Sequence, residues 1–301
     1  MKKVILVIII IVLIGLGFYF INKNKEEVKP APVNPTPVVT EPVVQAPVVD
    51  KTKTVIGTSV EGREIIAYHF GEGDTELIFV GGIHGGYSWN TTLVARRLMD
   101  YLMEERATSV IPANVKVTVI PVLNPDGLSK VATTTESFTK ADIRASQATQ
   151  VAGRFNGNTV DLNRNFDCAW QATGKWQNKD VSGGTATFSE PESRAIKNYV
   201  ETNDPEAVVV WYSAAGGVFA SNCHKGILPE TSTLTKTYAD ASGYPASDDF
   251  DFYEITGDMV NWLAKINVPA ISVLLSTHDE VEWDKNKKGI DAVLKYYNTA
   301  E

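Results

Sequence analysis

Three segments of this chain are almost continuously apolar and only strand-length: "ELIFV" (76–80), "AVVVWYS" (207–213) and "PAISVLL" (269–275). A strand with no polar face has to be covered on both sides, which is the situation of parallel strands inside an α/β sheet. A fourth strand, "VKVTVIPVLNPDG" (115–127), runs into a Pro-Asp-Gly turn. Between these strands lie segments with helical periodicity. "SWNTTLVARRLMDYLMEE" places Leu93, Leu98, Tyr101 and Leu102 along one face. "SEPESRAIKNYVE" has a proline in its first turn, and "PETSTLTKTYADASGY" has Gly243 near its end. "TGDMVNWLAKI" and "EVEWDKNKKGIDAVLKYY" complete the set, and "TVIGTSVEGREIIAYHF" reads as two short strands about Glu61-Gly62. The alternation predicts an α/β fold: a single domain with a mixed, mostly parallel central sheet flanked by helices. Ligands of such sheets bind at the carboxyl ends of the strands, just before His84, Asn124, Ser213 and Ser276.

The folded body is expected over 52–301, with residues 129–160 as a polar surface excursion. Ahead of it the chain changes character twice. Residues 4–21 are uncharged and apolar and follow Lys2 and Lys3, so 1–25 reads as a signal-anchor helix with its N-terminus in the cytoplasm. A cleaved signal peptide is the alternative, and either one exports the body. Residues 26–51 form a linker in which six prolines and eight valines fall within 26–50. Proline at that density excludes helix and sheet. In extended polyproline geometry such a linker spans roughly 75 Å.

Net charge is -8; the first 29 residues carry five lysines and two glutamates, so the remainder stands at -11. With no basic block to neutralise phosphates, a nucleic-acid partner is excluded. Cys168 and Cys223 are the two cysteines. In an exported body they are candidates for one disulfide, with two separate buried thiols as the alternative.

Eight pieces in order resemble the zinc carboxypeptidases of the carboxypeptidase A type: "GTSVEGREI", "GGIHGG", "NPDG", "GRFNGNTVDLNRNF", "FSEPES", "WYSAAGGVFA", "FYEITGDMVNW" and "PAISVLLSTHDEVEW". They cover roughly 54–297. The resemblance implies that family's fold and a zinc ion held by two histidines and a glutamate. It also implies a glutamate base for the metal-bound water, an arginine for the oxyanion, an Asn-Arg clamp for the substrate's terminal carboxylate, and a tyrosine lid.

Carried over position by position, the resemblance divides. His84 matches the first histidine, but the places for the glutamate hold Tyr87 or, one further on, Ser88. Tyr212 stands for the second histidine and Leu274 for the general base. The binding positions match: Arg154 for the oxyanion, Asn163 and Arg164 for the carboxylate, Tyr253 for the lid. Val260 falls where the floor of the side-chain pocket is expected and suits an apolar terminal residue.

A single histidine cannot hold zinc, and leucine accepts no proton in any state. No cofactor is therefore expected. His278, beside Asp279 and Glu280, reads as a loop histidine; His224 reads as surface and His69 as edge packing. Orphaned from metal, His84 is expected to hydrogen-bond Tyr212 or Ser88. Asp161 is a candidate partner for Arg154 and Arg164; left unpaired, the two arginines would make the cleft strongly anion-attracting.

The favoured reading is an exported, membrane-anchored pseudo-enzyme. It keeps a pocket for a peptide C-terminus, or for a cell-wall peptide, and touches the membrane through its N-terminal helix. The rivals are an active metallocarboxypeptidase with irregular ligation and a structural surface domain.

Overall fold

The computed structural model describes Tyr19, Lys23 and residues 52–104 and 110–298. The expected anchor and linker therefore lie outside the described residues, apart from Tyr19 and Lys23. These two are helical, with the Lys23 ammonium 5.7 Å from the Tyr19 ring centre. Among the described residues no helix is long and apolar enough to cross a membrane.

In chain order the body runs β1 (Lys53–Thr58), β2 (Glu64–Phe70), β3 (Thr75–Val80), α1 (Trp89–Glu104), β4 (Val115–Ile120), α2 (Pro125–Ser129) and α3 (Gln147–Ala152). It continues with β5 (Thr173–Trp176), β6 (Lys179–Ser182), α4 (Pro191–Asn203), β7 (Ala207–Ser213), β8 (Gly217–Ala220), α5 (Pro229–Ser242), β9 (Ala246–Ser247), α6 (Met259–Lys265), β10 (Ala270–Leu275) and α7 (Trp283–Tyr296). Eight strands form one sheet in the order β1-β2-β4-β3-β7-β10-β8-β9, and β5 with β6 makes a separate hairpin. β4, β3, β7 and β10 are mutually parallel, while β1, β2 and β8 join antiparallel. The expected mixed, mostly parallel sheet between helices is the observed architecture.

Alternation along each central strand sorts side chains into two cores. Ile78, Val80, Val208, Val210, Tyr212 and Leu274 face α4 and α6. Leu77, Phe79, Val209, Trp211, Val273 and Leu275 face α1, α5 and α7. Helix ends follow local chemistry: Pro191 and Pro229 open α4 and α5, and Gly243, at φ 76°, closes α5 in the left-handed conformation.

Much of the motif content proves to be structural. The Asp126 carboxylate of "NPDG" accepts from the Ser59 hydroxyl at 2.6 Å, the Glu61 amide at 3.0 Å and the Arg63 guanidinium at 2.7 Å. This ties the turn of "GTSVEGREI" to the sheet's carboxyl edge. Asn156 donates to Glu190 at 2.8 Å and Glu192 at 3.1 Å, and Asn165 takes the Glu190 amide and the Ser193 hydroxyl, joining "VDLNRNF" to "FSEPES".

Residues 129–160 are in large part the expected surface excursion, exposed or half-buried over 133–152 apart from Phe138, but the segment is also anchored. Val131, Ala132 and Phe138 are buried with Trp89, Val122 and Leu128 in a small third core. Apolar residues at irregular spacing carry no periodic signal. The β5–β6 hairpin and the two short strands β8 and β9 also had none.

Cys168 and Cys223 form a disulfide, and the alternative of two separate thiols is set aside. It closes a loop of 55 positions, so reduction or a Cys168→Ser/Cys223→Ser variant is expected to lower stability by about 2–4 kcal/mol. Urea unfolding with and without reductant measures this; an unchanged midpoint overturns it.

Candidate functional site

The carboxyl ends of three adjacent parallel strands converge. β3 delivers Gly81 to His84, β7 ends at Tyr212 and Ser213, and β10 carries Leu274 directly in register with Tyr212. The loop after β3 is compact because glycine lets backbone approach backbone. Gly85 has φ 40°, and a Cβ there would lie 2.7 Å from the Leu128 amide and 2.8 Å from the Gly153 carbonyl. The Gly86 amide donates to that same carbonyl at 2.9 Å. "GGIHGG", "NPDG" and the glycine before Arg154 are thus one interlocked unit.

Above the strand ends is a cavity of about 800 Å³. His84, Tyr87, Tyr212 and Leu274 line it; Ser88 is buried but does not line it. Of the two sequence candidates for the missing glutamate position, Tyr87 is the one that faces the cavity. The predicted hydrogen bond from His84 to Tyr212 or Ser88 is absent. The two rings meet at 5.6 Å between centroids, and His84 Nε2 instead lies 3.5 Å from an Asp161 carboxylate oxygen. Neither His84 nitrogen has a hydrogen-bond partner within the described residues. The correction follows from Asp161, which the loop before Leu162 brings under the imidazole.

These groups do not fit zinc. The ion needs three or four N, O or S donors at about 2 Å. Here the His84 imidazole has one carboxylate near it, Asp161 at 3.5 Å, which is already paired with Arg154, and beyond that two phenols and a leucine. Burial, with Asp258 nearby, pushes the Tyr212 phenol well above its usual range, and burial raises Tyr87 as well. Both are neutral hydroxyls. Among the described residues the group close enough to share a metal ion is Cys168, Cys223 and His224, and its sulfurs are bonded to each other.

The four residues expected to bind, Arg154, Asn163, Arg164 and Tyr253, all line the cavity. Arg164 is held by its own surroundings: Nε and Nη2 donate to the Lys175 carbonyl at 2.9 and 2.7 Å, and Nη1 donates to the Asn163 carbonyl at 2.6 Å. Asn163 accepts from the Tyr212 phenol at 3.2 Å and the Met259 amide at 3.1 Å, and donates to Asp258 at 2.7 Å. The Tyr253 ring centre is 5.9 Å from the Arg164 guanidinium carbon. Arg154 donates from Nε and Nη2 to Asp161, both at 2.8 Å, with its guanidinium 4.5 Å from the centre of the Trp176 ring.

That arrangement corrects the expected strongly anion-attracting cleft. Burial opposes ionisation of Asp161, but Arg154, His84 and Arg164 outweigh it and hold the carboxyl well below its usual range. The buried carboxylate thus cancels one guanidinium, and Asp258, raised by its burial, sits beside the other. What persists is a local pull at Arg164. His84 is neutral: burial, reinforced by Arg154, lowers its pKa to about 4.

Val260 lines the cavity as expected. His278 does too, with Nδ1 3.1 Å from the Ser213 hydroxyl and its ring 4.3 Å from that of Tyr87. Asn90 fixes this corner: its amide donates to the Thr277 and Glu280 carbonyls, and its oxygen accepts from Ser213. His69 bridges Thr54 and Thr118 at the sheet edge, and His224 is exposed. Trp176, Gln177 and Asn178 at the hairpin turn, with Phe219, Phe250 and Asp258, line the cavity without having been singled out. Asp258 had a legible signal as the cap of α6, where it accepts from the Asn261 amide; the hairpin had none.

Residues 49–282 match the Peptidase_M14 profile, zinc carboxypeptidase, and the chain belongs to that family. Carboxypeptidase N catalytic chain of Homo sapiens is 26% identical over 200 residues, covering 61% of this chain and 39% of that protein. Metallocarboxypeptidase A of Arthroderma otae is 25% identical over 252 residues, 74% of this chain and 57% of that one. Carboxypeptidase B of Astacus astacus is 28% identical over 151 residues, 48% of each. The chain thus spans about two fifths to just over half of these relatives' length. Bovine thrombin-activatable fibrinolysis inhibitor, solved in complex with tick carboxypeptidase inhibitor, superposes with a TM-score of 0.64 at 16% identity, covering 81% of this chain and 88% of that one. Murein-tripeptide amidase from Escherichia coli O157 gives 0.55 at 19%, covering 82% and 91%. At these identities the structural likeness establishes the fold.

The neutral His84 has a consequence for stability. Unfolded, its pKa returns to about 6.5, so between pH 6.5 and 4 the unfolded chain binds more protons and stability falls as pH is lowered. The loss is complete near pH 4 and amounts to roughly 3 kcal/mol. Burial lowers His69 and His278 as well, adding losses of the same sign. Denaturant titrations at pH 7, 5.5 and 4.5 should show a shallower decline for His84→Gln than for the parent; identical slopes overturn the assignment.

Proposed function

We propose that this chain binds peptide C-termini without hydrolysing them by zinc chemistry. The observation that carries this is the side-by-side pair on β7 and β10: Tyr212 and Leu274 stand in register and both line the cavity, at the positions that the family resemblance assigns to a ligand and the base. A neutral phenol and an alkyl chain neither hold a metal-bound water nor remove its proton. The binding side is supported by Arg164. Three of its five N–H groups are anchored to backbone carbonyls, so the fork is fixed, and the other two have no hydrogen-bond partner among the described residues and are available to a carboxylate. Tyr253 stands over it, and Val260 and Leu274 offer an apolar wall for the terminal side chain.

The apolar run at 4–21 and the proline-rich linker support a body held outside the cytoplasm on a membrane anchor. A cell-wall stem peptide is then within the ligand class, as is any peptide ending in a free carboxylate.

Isothermal titration with a short peptide ending in leucine, as free acid and as amide, tests the reading. The acid is expected to bind at least about tenfold tighter, and Arg164→Ala to remove that preference. Equal failure of both peptides overturns it. After exposure to zinc the protein is expected to carry far less than one equivalent of metal and to release no terminal residue. Tyr212→His/Leu274→Glu combined with Ser88→Glu, or with Tyr87→Glu in its place, should gain both. Chelator-sensitive release by the unaltered protein would establish the irregular metallocarboxypeptidase instead.

A further inference from the structure

Beyond Tyr253, the loop at the cavity mouth reads "DDFDFYE", residues 248–254. Asp248, Asp249, Asp251 and Glu254 are exposed, and none of them forms an ion pair with a described residue. Their neighbours are aromatic. Phe250 lies 5.1 Å from Tyr253, and Phe252 lies 5.0 Å from Phe250, in ring-centre steps leading outward from Arg164. Phe252 is 63% exposed. Asp249, Phe250, Phe252 and Tyr253 all line the cavity.

The cavity is therefore bipolar: a guanidinium clamp within, and a rim of carboxylates and ring faces without. The hairpin opposite contributes uncharged Gln177 and Asn178 to the wall. Of its basic residues, Lys175 pairs with Asp180, and Lys179 lies over the Trp176 ring without itself lining the cavity. Independently, His84 points to a ligand in the same cavity. It is 5% exposed and lines the space; its Nδ1 has no partner within the described residues, and its Nε2 has only the 3.5 Å approach of Asp161.

We infer that the preferred ligand is a short peptide bearing a cation as well as its terminal carboxylate, with the carboxylate on Arg164 and the ammonium or guanidinium seated among Asp249, Phe250 and Phe252. Carboxylates beside aromatic faces select cations by charge and by the ring quadrupole together. An anionic group at the same place meets the Asp249 carboxylate at the cavity wall, with Asp248, Asp251 and Glu254 exposed in the same loop. The inference rests on the carboxylate-binding reading above and adds the ligand's second recognition element.

Titration of N-acetylated tripeptides ending in leucine separates the two. Lysine, arginine, norleucine or glutamate occupies the middle position, each as free acid and amide; a second set places lysine at the terminal position or two residues upstream. Lysine and arginine acids are expected to bind about five- to tenfold tighter than the norleucine acid at low salt, with glutamate weakest. The gap should close in 0.5 M salt, where the Debye length falls to roughly 4 Å from about 30 Å at 0.01 M. Asp249→Asn/Asp251→Asn should erase the lysine-over-norleucine difference. If lysine and norleucine peptides bind equally in every placement while acids still outbind amides, the cation site is refuted and the carboxylate reading stands. If no acid outbinds its amide, both fall.

Discussion

Burial of β3, β7 and β10 on both faces is the constraint on which the rest of the molecule depends. Their side chains must be apolar along almost the whole length, because neither face meets water. Polar chemistry is thereby confined to the strand ends. His84, Tyr212, Ser213 and Leu274 are brought together because adjacent parallel strands end at the same level. The register between Tyr212 and Leu274 is a consequence of the sheet, and it would place any two residues at those positions side by side, whatever their chemistry.

Asp161 organises the next layer. A carboxylate buried this deeply is tolerated only when paired, and Arg154 supplies the pair while His84 rests against the other oxygen. Arg154 is consequently engaged with an internal anion and with Trp176 rather than standing free for a developing oxyanion. Arg164 is committed differently: its bonds go to carbonyls, which fix the fork without neutralising it. Two arginines of one cavity are thus held in unlike ways, one by a buried carboxylate and one by backbone carbonyls at the cavity wall.

The family likeness and the chemistry are carried by separable sets of residues. Asp126, Asn156, Asn165, Glu190 and Glu192 hold loops through buried hydrogen bonds. Losing one partner of such a bond strands a buried polar group at a cost of about 1–3 kcal/mol. These residues maintain the scaffold whether or not water is activated above it. A match over 49–282 is therefore compatible with Tyr212 and Leu274 at the centre.

The periodicities of the sequence were enough to determine the layered α/β fold, since apolar runs and helical spacing are local signals of burial. Motif order was enough to bring His84, Arg154, Asn163, Arg164 and Tyr253 to one cavity and to single out Tyr212 and Leu274, which line it too. Only the tertiary structure decided which partner each took. Asp161 rather than Tyr212 lies beside His84, Tyr87 rather than Ser88 faces the cavity, and the hairpin turn at Trp176 and the acidic aromatic loop at Phe252 complete its wall. Those choices depend on contacts between residues far apart in the chain, and on the balance of charge within a shared low-dielectric space, neither of which leaves a periodic trace in the sequence.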